Sequence, residues 1–207
     1  MITAIATVAA VLLLAGPALP PYTSEVAPVT QERLGPSWRA GCPVGADQLR
    51  LVRVDYVGFD GAAHRGELVV ADAVAREVAD IFGELYRDRF PIERMDTAEK
   101  FAADDDRSMA ADNTSAFNCR PIEGTSRWSY HAYGRAVDIN TLRNPYISKS
   151  GAVSPPAGAP YADRNRTDPG MIHADDATVR AFKRRGWSWG GDWTSPKDYQ
   201  HFEKPPA

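Results

Sequence analysis

From Leu49 to Val70 the chain alternates apolar and polar positions. Leu49, Leu51, Val52, Val54 and Tyr56 precede an Asp60-Gly61 pair, and Leu68 and Val70 follow it. Alternation on both sides of Asp-Gly predicts a strand, a turn and a strand. The period then changes. Val74, Val78, Ile81, Phe82 and Leu85 recur at helical spacing, with Pro91 beyond the end, so an amphipathic helix with a core-facing stripe is expected. Short strands are expected at "SAFNCR" and "GRAVDIN". A second helix is expected in "HADDATVRAFKRRG", which has acids early, bases late and Gly186 as its stop. This mixed order predicts an α+β fold: one domain over residues 41–207, with a small antiparallel sheet and flanking helices.

The first residues are a different material. An apolar run from Ile2 to Ala15 ends at Gly16 and Pro17, so residues 1–19 read as a secretory signal peptide, although no Lys or Arg precedes the run. A retained anchor is the alternative, but the run falls short of the roughly 20 apolar residues that a spanning helix needs. Residues 20–40 are rich in Pro and polar side chains with no apolar period, and are expected to be a flexible segment.

Composition narrows the function. The 207 residues carry a formal net charge of −3, with 25% charged side chains. There is no basic footprint, so nucleic acid is not an expected partner. A secreted or cell-envelope monomer without stable membrane insertion is expected. Export makes a disulfide between the two cysteines, Cys42 and Cys119, reasonable, with two separate buried thiols as the alternative. Asp104, Asp105 and Asp106 form a short acidic run that reads as a solvated loop.

Candidate chemistry gathers in two stretches. "SRWSYHAYGRAVDIN" holds Ser129, His131, Gly134 and Asp138. In "RAVDIN", Asp138 would face away from Val137 and Ile139, and Gly134 would let the chain turn so that His131 and Asp138 converge. "GWSWGGDWTSPKDYQHFEKP" places His201 three residues after Asp198, with Trp187, Trp189 and Trp193 upstream. Two imidazoles and a carboxylate suit a borderline cation such as zinc and leave a coordination position open. The spacing permits a shared metal without demanding one.

Taken together, these residues resemble the zinc D-alanyl-D-alanine peptidases of the bacterial cell wall. That group includes the vancomycin-resistance carboxypeptidase and dipeptidase and phage L-alanyl-D-glutamate endopeptidases. Its pattern, S-x-H-x6-D followed by E/D-x-x-H, is matched by Ser129-Tyr130-His131 through Asp138, then Asp198 through His201. The likeness extends over "FNCRPI", "SYHAYGRAVDIN", "NPY" and "GWSWGGDW…DYQHFE".

The resemblance implies a hedgehog-like peptidase fold, a Zn2+ cofactor and peptidoglycan stem peptides as substrate. It implies His131, Asp138 and His201 as ligands, Asp198 as catalytic base and Arg120 beside the scissile carbonyl. Ser129 would either bind substrate or fix the turn. Trp189 and Trp193 would either flank the substrate or pack the core. Some members have His where Glu203 stands, and others have Glu where Asp198 stands, so the bond cleaved stays open. Removal of a terminal D-alanine is expected, with Arg143, Arg164 and Arg166 on a loop that could supply a cation for the free carboxylate. L-alanyl-D-glutamate cleavage and a non-catalytic zinc-containing module are the alternatives.

Overall fold

The computed structural model describes residues 18–205, so all but the last two residues of the expected signal peptide lie outside the described residues. Where the sequence predicts a flexible segment, the structure has a docked strand and a helical turn. Strand β1 (Ser24–Pro28) pairs antiparallel with β2 (Leu49–Val57), Val26 lying opposite Val52. The Tyr22 hydroxyl donates to the Ala79 carbonyl, and the Tyr86 hydroxyl donates to that of Pro20 at 2.8 Å. The turn α1 (Gln31–Leu34) buries Leu34, and Arg33 pairs with Glu67 at 2.6 Å. The correction has a simple cause. An edge strand is held by backbone hydrogen bonds and a few isolated anchors, neither of which leaves a period in the sequence.

The predicted hairpin is present: β2 pairs with β3 (Ala63–Ala71) in register from Leu49↔Ala71 to Val57↔Ala63. The long helix α2 (Asp72–Arg87) follows directly and lays Val74, Val78, Ile81, Phe82 and Leu85 into the core beside Val52, Val54, Leu68 and Val70. Next come β4 (Arg94–Met95), the short helix α3 (Asp105–Ala110) and β5 (Asn113–Thr114), with β4 and β5 pairing in parallel. "SAFNCR" is not a laddered strand. Ser115 bridges to Asp138, while the Phe117 and Cys119 amides donate to Val69 and Ser37 carbonyls, so the segment threads between neighbours.

The C-terminal half builds two further small antiparallel sheets. One has the order β6 (Ala136–Asp138), β11 (His201–Glu203), β9 (Ser188–Trp189). The other has the order β10 (Lys197–Asp198), β7 (Tyr146–Ile147), β8 (Val153–Ser154). Helix α4 (Ala177–Lys183) is shorter than its sequence signal, because Asp175 at φ 65° cannot continue a right-handed helix. Its Phe182 stacks on Phe202 of β11 with ring centroids 4.0 Å apart, joining α4 to the sheet that carries the candidate site. The architecture is α+β, with small antiparallel sheets and a few helices. Among the described residues no helix is long and apolar enough to cross a membrane.

Cys42 and Cys119 form a disulfide with Cα atoms 5.9 Å apart, closing a sequence separation of 77. It sits in a second apolar cluster with Leu34, Leu49, Leu51 and Phe117. The bond fixes the backbone immediately before Arg120.

Candidate metal centre

Strand register brings the first two side chains together. β6 and β11 run antiparallel with Asp138 directly opposite His201 and Val137 opposite Phe202. Val137 and Phe202 are fully buried in the core, so alternation sends Asp138 and His201 to the other face. His131 arrives from a 3₁₀ turn, Tyr130–Tyr133. The Ser129 hydroxyl accepts from the His131 amide at 3.3 Å and starts that turn. Gly134 ends it in the left-handed region at φ 63°, and a Cβ there would lie 2.5 Å from the Ala71 nitrogen. The Ala71 amide donates to the Gly134 carbonyl at 2.8 Å, so the turn is pinned to the end of β3.

The three side chains meet with matched atoms. His131 Nε2 lies 3.0 Å from Asp138 Oδ2, His201 Nδ1 lies 2.9 Å from Asp138 Oδ1, and the two ring nitrogens are 3.2 Å apart. All three residues are buried, and one ligand atom from each falls within 4.8 Å of the others. Among the described residues it is the one group of three such side chains able to share a cation. Burial works to raise the Asp138 pKa, but the charges and hydrogen bonds of His131 and His201 outweigh it and hold the carboxyl well below its usual range. Burial would lower the His201 pKa, yet hydrogen bonds to Asp138 and Glu203 push it up to about 10. The pocket favours positive charge at its centre.

Asp198 reaches the site from the other sheet, on β10 opposite Tyr146. Gly190 allows that approach, since a Cβ there would lie 2.5 Å from the Asp198 carbonyl oxygen. Among the described residues, the buried Asp198 Oδ1 has no hydrogen-bond partner. Burial, partly countered by His201 and reinforced by Asp138, pushes its pKa up to about 7. A group poised there can take a proton and give it back near neutrality. The Trp193 ring lies 5.6 Å from that of His201 and walls the centre.

Arg120 and Asp105 form an ion pair of 2.7 Å. Asp105 is the first residue of α3, and the Asp104 side chain caps that helix by accepting from the Arg107 amide. The acidic run is therefore a helix start rather than a solvated loop. Burial raises the Asp105 pKa and Arg120 opposes it, with smaller influences from Asp138 and His131. Asp105 was not identifiable from sequence, because nothing at a separation of fifteen residues marks it as Arg120's partner. Among the described residues, the buried Arg120 Nε has no hydrogen-bond partner.

Trp189 is 3% exposed, stacks with Phe202 and donates its indole N–H to the Tyr199 carbonyl, so it packs into the core. Ser129 serves the turn. Each loop arginine has partners nearby. Arg164 lies over the Tyr199 ring and donates to the Arg143, Tyr161 and Ile172 carbonyls. Arg143 pairs with Asp112 under Phe59, and Arg166 pairs with Asp168. An arginine-rich loop reads the same in sequence whether its cations face substrate or hold the loop itself together.

Residues 123–204 match the family model described as D-alanyl-D-alanine carboxypeptidase. That stretch is peptidase-like. It contains His131, Asp138, Asp198 and His201, and leaves Arg120 and Asp105 outside. No curated protein and no solved structure matches the chain.

Proposed function

We propose that the chain is an exported zinc metallopeptidase that removes the terminal D-alanine from peptidoglycan stem peptides. The observation that carries this reading is the convergence of ligand atoms from His131, Asp138 and His201 within 4.8 Å of one another, with the Asp198 carboxylate near enough to feel the charges of His201 and Asp138. Two neutral imidazoles and one carboxylate are a donor set that zinc accepts, with room left for a substrate or solvent oxygen. His131 Nε2, Asp138 and His201 Nδ1 would hold the ion. When bound, the ion supplies Lewis acidity, polarising a peptide carbonyl and making a water easier to deprotonate.

The chain's own groups do the remaining work. Asp198 accepts the proton of the attacking water and returns it to the leaving amine, so oxygen goes to the carbonyl carbon and hydrogen to nitrogen as the C–N bond breaks. Arg120, held by Asp105, faces the negative charge developing on the carbonyl oxygen, a fixed cation of the kind that favours such a transition state. Trp193 keeps bulk water from one side. A non-catalytic zinc module would have no use for a carboxylate set up like Asp198.

A second reading has its own support. Arg143 and Arg164 are held by Asp112 and by backbone carbonyls, and the exposed Arg166 is paired with Asp168, which weakens the case for a cation bound to a free terminal carboxylate and favours cleavage of an internal stem-peptide bond. Digestion of pentapeptide and tetrapeptide muropeptides, read by mass, separates the two. Loss of one alanine from the pentapeptide alone is the expected result. Cleavage beyond L-alanine in either substrate would establish the endopeptidase, and no cleavage of either would end the peptidase reading. The secreted state and a monomer acting alone belong to this proposal. Recovery of the mature chain from the medium or envelope, and its mass in solution, test them.

A further inference from the structure

The two imidazoles present opposite nitrogens to the centre, and something must fix each proton on the far edge. For His131 the answer is a backbone carbonyl: Nδ1–H donates to Ala116 O, leaving Nε2 turned to Asp138. For His201 it is a charged side chain. His201 Nε2–H donates to Glu203 Oε2 at 3.1 Å, leaving Nδ1 turned to Asp138 at 2.9 Å and to His131 at 3.2 Å. Resting on the metal reading above, we infer that Glu203 is the positioning residue of the centre: it holds His201 in the Nε2–H tautomer and supplies a second negative charge behind the ligand set.

Strand geometry puts Glu203 there. In β11 the sequence His201-Phe202-Glu203 alternates faces, Phe202 being fully buried in the core and the other two sharing the opposite side. Register is fixed on both flanks, with Glu203 opposite Ala136 in β6 and Ser188 in β9. Glu203 is not a fourth ligand, because its oxygen meets the ring edge away from Asp138 and His131. A carboxylate in this place raises the basicity of the ligating nitrogen more than a carbonyl does. It also balances a divalent ion that would otherwise face Asp138 alone among the three ligands.

The test is zinc titration calorimetry on the metal-stripped chain and its E203Q and E203A variants, with long-range 1H–15N spectra of the zinc-loaded proteins. E203A is expected to weaken zinc binding about 10- to 100-fold, the usual loss for such an outer partner. E203Q accepts the same hydrogen bond through its amide oxygen without the charge, so it should fall between E203A and wild type. The wild-type spectrum should show His201 protonated at Nε2 and metallated at Nδ1. Wild type that binds zinc while both variants match it within about twofold overturns the role of Glu203 alone, as does His201 metallated through Nε2. Wild type that takes up no zinc overturns the metal reading and this inference with it. Should E203A fail to fold, E203Q and the wild-type spectrum decide the matter.

Discussion

A buried carboxylate oxygen with no hydrogen bond is rare in a folded protein and calls for a use. At Asp198 that use is proton transfer, and the substitution Asp198→Asn separates it from metal binding. The variant is expected to keep zinc, measured by elemental analysis, and to lose turnover by roughly 10²-fold or more, as when a general base is removed. Loss of zinc equal to that of Asp138→Asn would make Asp198 a ligand instead. Asp105 acts one step further out. With a 2.7 Å bond to Arg120, Asp105→Asn should lower kcat while moving KM little. In the Arg120→Ala background it should do almost nothing more. Additive losses in that double-mutant cycle would show that the two residues act independently.

Turns and edges decide the elements. The 3₁₀ turn bearing His131 depends on Gly134, whose positive φ and contact with Ala71 leave no space for a side chain. A left-handed non-glycine residue costs roughly 1–2 kcal/mol before any clash is counted. Gly134→Ala should therefore lower the melting temperature and also weaken zinc binding, since relaxing the turn moves His131. A variant that melts like wild type would mean that the turn is not under this constraint. At the other end, Tyr22 anchors the segment before β1 on α2 through its ring and hydroxyl. Tyr22→Ala should destabilise the chain by more than about 1 kcal/mol in urea unfolding, whereas substitutions in a solvated tether stay within about 0.5 kcal/mol.

Protons and metal compete across the whole molecule. The His201 pKa, raised to about 10 from an ordinary value near 6.5, means that the imidazolium stabilises the metal-free fold. That contribution is fully present below about pH 6.5 and is lost as pH rises through about 10. Asp138 has the opposite sign: its depressed pKa gives stability above the ordinary carboxylate range, lost on acidification. A ligand must shed its proton to bind, so zinc uptake near neutrality should release about one proton from His201. Apparent zinc affinity should then rise about tenfold per pH unit between roughly pH 6 and 8. Calorimetry in buffers of differing ionisation enthalpy measures the proton directly. An affinity flat in pH would mean that His201 is already neutral without metal.

Local pattern determined the elements of this chain wherever neighbours in sequence are also neighbours in space. The β2–β3 hairpin, the stripe of α2 and the faces of β6 follow from periods of two and 3.6, while His131, Asp138 and His201 were singled out through a family resemblance carried by one short motif and one late pair. Tertiary structure alone decided the rest. Residues 20–40 became strand and anchor because an edge strand is recruited by a partner's backbone. Trp189 went to the core while Trp193 stayed at the centre, since indoles four residues apart are told apart only by the sheet they meet. Arg143 and Arg164 turned inward to Asp112 and to backbone carbonyls while Arg166 stayed exposed in a pair with Asp168, and Asp105 was brought to Arg120. Charged side chains carry no period, and their partners are chosen by distance in space, which the order of residues does not record.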